Sequence, residues 1–445
     1  MDFMKMALDG EKLKVSKYAF FIERDGGDVI IYSSLSGLIL HCYDEEHVGK
    51  AKAIMHSEDL VFDKQNDLMC TLYEHKVLQR ADFDEELWLR SMYENGILKA
   101  KDLKLMLIVT RNCNFDCAYC GQKHENMVMQ PDVYDAVYAF IEKKVREKEI
   151  DFVELSFFGG EPLLAYSLII KLLEKTKRLC DKFHVSFRAS MTTNGFLLSL
   201  SRFRRLVEYG CVHYQITVDG VAETHDKVRY LKGKKKTWNR IMSNLKDAVS
   251  TEYDFSIVLR TNYNEEIFNV MDELYRYVEE ELNDRRIGIY FESIKDHGNE
   301  DCPETIGQIE AIAYNEEIMG SIKKHKLQSV SVLKRTSPCS WMCYASKPNF
   351  YIVDYDASVK KCSHQLDEEF NTVGQLESDG TMLIDEYRHA KWIYQDYLSG
   401  TGCEGCLIKP LCMGKRCPRQ SILNGVHCAN TIDETDIKLE ISSYV

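Results

Sequence analysis

Residues 113–120 read Cys113-Asn114-Phe115-Asp116-Cys117-Ala118-Tyr119-Cys120, three cysteines in a C-x3-C-x2-C spacing. They follow an apolar run, Leu103 to Val109, that reads as a buried strand. Three thiolates leaving a strand end can grip three corners of a cubic iron–sulfur cluster. A cube has four irons, so one iron is left without a protein ligand, and that open corner is where chemistry would occur. Zinc and unligated thiols are the alternatives. Structural zinc sites take four ligands, usually in C-x2-C pairs, and the unequal gaps here fit that poorly.

From about residue 103 strands and helices alternate. The strands read as Leu103–Val109, Phe152–Phe158, Val185–Thr192, His213–Val218, Phe255–Arg260 and Gly288–Ile294, with helical patterns at 132–148, 164–183, 199–209, 237–250, 265–282 and 306–326. That alternation predicts a parallel sheet with helices outside it. Six βα units make an α/β fold of the partial (β/α)6, TIM-like kind, whose chemistry collects at the C-terminal strand ends.

The unusual residues fall there. Gly159-Gly160-Glu161-Pro162 follows the second strand; glycines admit close backbone approach, and a carboxylate can pair with an ammonium. Thr192-Thr193-Asn194-Gly195 follows the third, with hydroxyls and an amide suited to a ribose. Gln215, Thr217 and Asp219 alternate along the end of the fourth, so they share one face. His225-Asp226-Lys227-Val228-Arg229 comes next, with His225 and Arg229 open to reading as a solvated loop. Arg260-Thr261-Asn262 ends the fifth strand, and such groups at a barrel mouth need partners. The run Lys232 to Lys236 reads as a solvated or substrate-facing loop.

Sixteen cysteines and an N-terminal stretch lacking a signal-peptide h-region point to thiols or metal ligands in a cytoplasmic protein. Cys42, Cys70, Cys180, Cys211 and Cys302 are scattered and read as small core residues. Cys339, Cys343, Cys362, Cys403, Cys406, Cys412, Cys417 and Cys428 form a second cluster beyond the barrel, dense and ferredoxin-like from 403 to 417. A zinc ribbon at 403–417 is the competing reading, and it leaves Cys339, Cys343, Cys362 and Cys428 unexplained. The net charge of −13 argues against a nucleic-acid partner. No apolar stretch reaches the length of a membrane span.

The motifs together resemble the radical S-adenosylmethionine (SAM) superfamily. The resemblance implies that Cys113, Cys117 and Cys120 hold a [4Fe–4S] cluster whose open iron is chelated by the amino and carboxylate groups of SAM. Phe115 and Tyr119 would lie by the cofactor, Tyr119 near the adenine. Gly159, Gly160, Glu161 and Pro162 match the family's GGEP motif, which holds the SAM amino group. Thr192 and Asn194 match its TTNG segment. By the same resemblance Gln215 and Thr217 contact SAM or substrate, Arg229 and Arg260 meet the SAM carboxylate or ribose, and Asp219 is a candidate base or substrate contact.

The later cysteines resemble the SPASM extension of peptide-maturing members, which carries two auxiliary [4Fe–4S] clusters. The implied ligand sets are Cys339, Cys343, Cys362 and Cys417, then Cys403, Cys406, Cys412 and Cys428. Two departures stand out: Ala357 occupies a position where the family has glycine, and Met413 to Arg416 leaves four residues between cysteines where three are usual.

Residues 1–98 read as a small α+β module, with a hairpin about Asp25-Gly26-Gly27-Asp28 and helices at 45–55, 67–75 and 84–93. It resembles the winged-helix-like leader-recognition domains of peptide-modifying enzymes; a structural extension of the barrel is the alternative. The expected division is 1–98, 99–328 for the barrel, and 329–445 for the SPASM domain.

The implied activity is reductive cleavage of SAM to a 5′-deoxyadenosyl radical. That radical would abstract hydrogen from a ribosomal precursor peptide, with leader and Cys-containing core, to install a thioether of the sactipeptide or ranthipeptide class. A reductant such as flavodoxin or ferredoxin would supply the electron. The alternatives are an anaerobic formylglycine-forming sulfatase maturase, which usually lacks such an N-terminal module, and an iron–sulfur electron carrier or zinc-binding protein, which has no need of the strand-end motifs.

Overall fold

The computed structural model describes residues 9–297, 300–330, 336–394, 403, 405–415, 417–425, 437–438 and 441–442. It divides into two compact units. One contains Met1–Ala100, Val332–Pro348 and His389–Val445; the other contains Lys101–Ser331 and Asn349–Arg388.

In the first unit six short strands, β1 (Lys12–Val15), β2 (Ala19–Glu23), β3 (Val29–Ser33), β4 (Ile39–Cys42), β5 (Leu60–Val61) and β6 (Leu78–Arg80), make two antiparallel sheets of order β5-β1-β6 and β2-β3-β4. The expected hairpin joins β2 to β3, with Gly27 at φ +83° in its turn. Helices Glu45–Met55, Asp67–Glu74 and Glu85–Tyr93 each start on a side-chain cap, Asp44, Asn66 and Asp84 accepting from the backbone N–H three residues on.

Strand β3 explains why residues 1–98 do not stand alone. Its run Val29-Ile30-Ile31-Tyr32-Ser33 is buried throughout rather than alternately, the pattern of a strand covered on both faces. Val29 and Ile31 pack with Cys42, Ala51, Ile54 and Leu72. Phe20, Ile22, Ile30 and Tyr32 pack instead with Trp341, Ile408, Leu411, Cys412, Ile437 and Ile441. Tyr18, Leu89 and Tyr93 close on Met342 and Met413. The cysteine-rich tail is therefore cored by the N-terminal module. Backbone bonds knit the tail itself, from Cys339 to Pro410, Trp341 to Leu411 and Cys343 to Lys415, each 2.9 Å.

In the second unit the six expected strands appear as β7 (Asp102–Thr110), β8 (Phe152–Gly159), β9 (Ser186–Thr193), β10 (Cys211–Thr217), β11 (Ser256–Tyr263) and β12 (Ile287–Ser293), parallel and adjacent in chain order. Strand β13 (Gln328–Ser329) extends the β12 edge in parallel. Alternate residues are buried: Val153, Leu155 and Phe157 of β8 lie in register with Leu103, Leu105 and Leu107 of β7. The intervening positions, such as Ser156 and Ser190, stay half-buried and bond to each other at 2.7 Å. The long helix expected at 265–282 is broken into Glu265–Phe268, Met271–Tyr277 and a π turn, Val278–Leu282. The stretch holding His225 is a helix, Ala222–Val228, rather than a solvated loop.

Part of the expected third domain joins this unit. Strands β14 (Phe350–Val353), β15 (Ser358–Lys360), β16 (Thr372–Leu376) and β17 (Met382–Ile384) continue the sheet, β14 pairing parallel with β7, so that eleven strands share it. Of the scattered cysteines, Cys42, Cys180 and Cys211 are buried, while Cys70 and Cys302 are half-buried. Among the described residues no helix is long and apolar enough to cross a membrane.

Ala357 closes the β14–β15 hairpin at φ +66°, its N–H donating to Asp354 O at 3.0 Å. This is the left-handed region where a Cβ is penalised and where glycine is the default. Ala357→Gly should raise the unfolding midpoint, with a gain of up to about 1 kcal/mol. A thermal melt showing a lower midpoint would contradict the strain.

Candidate active site

The cysteine loop begins where β7 ends. Thr110 Oγ1 donates to Met127 O at 2.8 Å and accepts from Asn112 N at 3.0 Å. The loop then pairs with the chain after helix Ala222–Val228: Ala118 N–H donates to Val228 O and Asp116 N–H to Tyr230 O, both 2.9 Å, and Lys232 N–H donates to Asn114 O at 3.2 Å. Burial pushes the Cys113 thiol up to about 11 and that of Cys117 to about 12, with further pressure from the sulfur of Cys120 on both. The three thiols thus lie within electrostatic reach of one another. Phe115 N–H donates to Cys113 Sγ at 3.4 Å, and Asn194 Nδ2 lies 3.9 Å from the same sulfur. His124 Nε2 is 3.4 Å from Cys120 Sγ.

The two glycines admit a close backbone approach. A Cβ on Gly159, which sits at φ +120°, would lie 2.1 Å from Thr110 O, and one on Gly160 would lie 2.2 Å from Asn112 O. They let the second strand end press against the root of the cysteine loop, where Gly160 N–H donates to Thr110 O and Glu161 N–H to Asn112 O. Glu161 is wholly buried, and burial raises its pKa. Its carboxylate accepts from Thr193 Oγ1 at 2.7 Å, Asn194 N at 2.7 Å and Leu163 N at 2.9 Å. Glu161 therefore ties the second strand end to the third, and so sets Asn194 against Cys113. Pro162 is buried beside it.

The Tyr119 hydroxyl is a hub. It donates to Asp219 Oδ2 and accepts from Arg229 Nη1 at 2.8 Å and Asn262 Nδ2 at 3.0 Å. Asp219 is fully buried; its other oxygen accepts from Asn262 N at 2.8 Å, and its Oδ2 is 3.9 Å from Arg229 Nε. Burial raises the Asp219 pKa against the opposing pull of Arg229. With both oxygens engaged, Asp219 holds the hub together instead of presenting a free base. Arg229 lies over the Phe115 ring, 5.8 Å from its centroid, and its buried Nε has no hydrogen-bond partner. His225, also fully buried, accepts from Asp219 N at 3.2 Å on Nδ1 and donates through Nε2 to Thr237 Oγ1 at 3.1 Å, since that hydroxyl itself donates to Arg229 O. Burial and the adjacent Arg229 keep His225 neutral. Arg260 Nε donates to Asn262 Oδ1 at 2.9 Å and the guanidinium lies 5.6 Å from the Tyr290 ring.

Thr192 and Gln215 are opposite each other on β9 and β10, and Thr217 faces Arg260 across β10 and β11. Thr192, Gln215 and Arg260 are half-buried, on the face turned away from the apolar packing, and they can meet a bound molecule.

The later cysteines divide between units. Cys339, Cys343, Cys403, Cys406, Cys412 and Cys417 belong with the N-terminal module, whereas Cys362 belongs with the sheet. Cys428 lies outside the described residues. Among those described, no three Cys, His, Asp or Glu side chains group as ligands of a single metal ion. Two supports were not read from the sequence. Asn371 clamps the Cys362 turn, its Oδ1 accepting from Lys361 N and Cys362 N and its Nδ2 donating to Cys362 O and Gln365 O, at 2.8 to 3.1 Å. Arg111, at the root of the cysteine loop, donates to the buried Asp354 at 2.6 Å and pairs with Asp367. Nothing in the sequence marks either: the partners of Arg111 lie more than two hundred residues away, and those of Asn371, six to ten residues before it, are mostly backbone groups.

The residues present fit an anionic cluster. Three thiols largely withdrawn from water, Cys113 buried and Cys117 and Cys120 half-buried, become thiolates by exchanging protons for metal, and the added negative charge needs a buried cation. Arg229, whose Nε makes no hydrogen bond and which lies within electrostatic reach of Cys117, supplies one. The Tyr119 hub supports that cation, so Tyr119→Phe, which leaves Asp219 and Arg229 each short of a partner, should lower folding stability by about 1–3 kcal/mol. An unchanged urea midpoint would remove the hub from this account.

Residues 107–297 match the Radical SAM superfamily. The radical SAM cyclopropyl synthase TigE of Paramaledivibacter caminithermalis is 25% identical over 222 residues, 43% of this chain and 46% of that protein. The chain thus spans about half the length of the curated relatives it matches. Among solved structures, Streptococcus suis SuiB bound to its precursor peptide SuiA aligns with TM-score 0.53 at 11% identity over 95% of this chain and 100% of that one. The structure of anSMEcpe with AdoMet and the Kp18Cys peptide aligns with TM-score 0.56 at 16% identity, over 77% and 96% respectively. These likenesses share the fold. With its three-cysteine loop and strand-end contacts in place, the chain carries a Radical SAM superfamily domain over residues 107–297.

Proposed function

We propose that this chain is a radical SAM enzyme that modifies a ribosomally made peptide, and that its product is a Cys thioether. The observation that carries the reading is the convergence of three thiols, that of Cys113 buried and those of Cys117 and Cys120 half-buried, on a buried Arg229 whose Nε makes no hydrogen bond among the described residues, at the C-terminal ends of the parallel strands. When bound, a [4Fe–4S] cluster on Cys113, Cys117 and Cys120 together with SAM supplies a 5′-deoxyadenosyl radical able to abstract hydrogen from carbon. Arg229 offsets the negative charge of the thiolates. Tyr119, held by Asp219 and Asn262, keeps Arg229 in place. Asn194, set by Glu161, borders Cys113. Thr192, Gln215, Thr217 and Arg260 line the face where a ribose and a carboxylate would bind.

The later cysteines are proposed to hold two auxiliary [4Fe–4S] clusters, which would take up the surplus electron of thioether formation. The N-terminal sheets offer edge strands to which a leader peptide could add. Because β2 and β3 core the cysteine-rich tail, that role is better tested by substitutions on an edge strand than by removing residues 1–98.

Both aligned structures hold a bound peptide, and TigE is named a cyclopropyl synthase. The test must therefore read the bond formed. Anaerobically reconstituted, reduced protein given SAM and a Cys-containing precursor peptide should hold about 12 irons, release 5′-deoxyadenosine, and return a peptide lacking two hydrogens with one thiol fewer open to alkylation. Loss of two hydrogens with every thiol still alkylated would reject the thioether while keeping the peptide. Absence of deoxyadenosine would reject the enzyme.

A further inference from the structure

We propose that the groove beside the cysteine loop is the docking site of an acidic one-electron carrier protein of the flavodoxin kind. The proposal rests on the cysteine loop holding a redox cluster. The groove, about 570 Å³, is lined by Phe196, Leu197, Arg202, Lys236 and Arg240 among others, with three cations and no carboxylate in its lining. This is a local reversal of sign on a chain of net charge −13.

The cations are also uncompensated. Arg202 donates to Leu197 O at 3.3 Å and lies over the Tyr166 ring. Among the described residues no carboxylate pairs with Arg202, Lys236 or Arg240. Nearby basic residues behave differently: Lys227 pairs with Glu266, Lys234 with Asp301 and Lys246 with Glu281. A second basic groove, between helices Pro131–Arg146 and Tyr166–Phe183, contains its own neutralising carboxylates, with Arg146 on Glu142 and Arg178 on Glu174.

Position supplies the other half. Phe196, in the groove lining, meets the Phe115 ring edge-on with centroids 5.9 Å apart. Phe115 is wholly buried, and its N–H donates to Cys113 Sγ. One ring contact and one hydrogen bond thus lead from the groove to a cluster-bearing sulfur. The lysine run is fastened to the same loop: Leu231 bridges to both Phe115 and Lys235, and Lys232 Nζ donates to Asn112 Oδ1 at 3.2 Å. A partner drawn by these charges would be seated against the cysteine loop. With a cluster held by Cys113, Cys117 and Cys120, the step would move one electron from the carrier's reduced flavin, which is oxidised, to the cluster, which is reduced, with no bond made or broken. Complementary charge of this kind chiefly speeds encounter, by about 10- to 1,000-fold, and weakens with salt.

The test uses the full-length reconstituted chain, a flavodoxin kept reduced by its NADPH-dependent reductase, and the double variant Lys236→Glu/Arg240→Glu, both exposed positions outside the site described above. Affinity for oxidised flavodoxin, read by interferometry, should fall about tenfold or more, and its dependence on salt should flatten. Flavodoxin-driven release of deoxyadenosine should fall in parallel while dithionite-driven release stays unchanged. Lys175→Glu, in the second basic groove, should alter neither. Equal flavodoxin affinity for variant and parent would overturn the proposal. So would lost affinity for an acidic substrate peptide with flavodoxin-driven turnover intact. If the unsubstituted chain fails to cleave SAM even with dithionite, the cluster reading falls, and the binding measurement still judges the docking site.

Discussion

A buried guanidinium and a buried carboxylate share one phenol. Arg229 and Asp219 are both withdrawn from water, and the Tyr119 hydroxyl stands between them. Burying either charge alone would cost several kcal/mol, so neither is tolerable without the other and without hydrogen bonds to the remaining positions. Asn262 supplies two of these, one from its backbone and one from its side chain, and Arg260 steadies Asn262 in turn. The result is that a residue of the cysteine loop is locked to the ends of two strands far away in sequence. The loop that must present three sulfurs in a fixed arrangement is held by electrostatics that cannot relax piecemeal.

A second strut works on the other side of the loop. Glu161 bridges the second and third strand ends, and its two preceding glycines remove the only atoms that would keep that bridge away from Thr110 and Asn112. The motif that suggested ligand contact thus does mechanical work first. The same logic covers His225 and Asp226. His225 pins the backbone of Asp219, and Asp226 accepts from the N–H groups of Thr237 and Trp238 at the start of helix Trp238–Val249. Within the segment from 219 to 238, His225, Asp226 and Thr237 are thus engaged in holding the backbone around Arg229.

What could be read from the sequence was what is local. Periodicity placed the six parallel strands within a few residues, because alternating burial and strand-end glycines leave their mark on neighbouring positions. The hairpin at Asp25–Asp28 and the three capped helices were legible for the same reason. The packing of Phe20 and Tyr32 against Trp341 and Leu411 was not, since it joins residues some three hundred apart, although the unbroken run Val29 to Tyr32 carried a hint of a second covered face. Asp219 read as a possible base because a carboxylate at a strand end is chemically free until its partners are known. Once Tyr119, Asn262 and Arg229 are in place it has no lone role left. Likewise Asn371 and Arg111 are unremarkable letters until the turn at Cys362 and the carboxylate of Asp354 are brought to them.

The distribution of charge about the cysteine loop follows from what a cluster there would have to do. Its reduction potential is set by net charge, hydrogen bonds to sulfur and access to solvent. Arg229 lies within electrostatic reach of the thiols, while Lys232, Lys236 and Arg240 are exposed in and after the segment paired with the loop. Positive charge near a cluster favours its acceptance of an electron, and hydrogen-bond donors to sulfur, such as Phe115 N–H on Cys113, act in the same sense. An acidic chain gains nothing for solubility by gathering unpaired cations at one place. It gains if an anionic partner must arrive at that place, and if the added electron must be stabilised just beneath it.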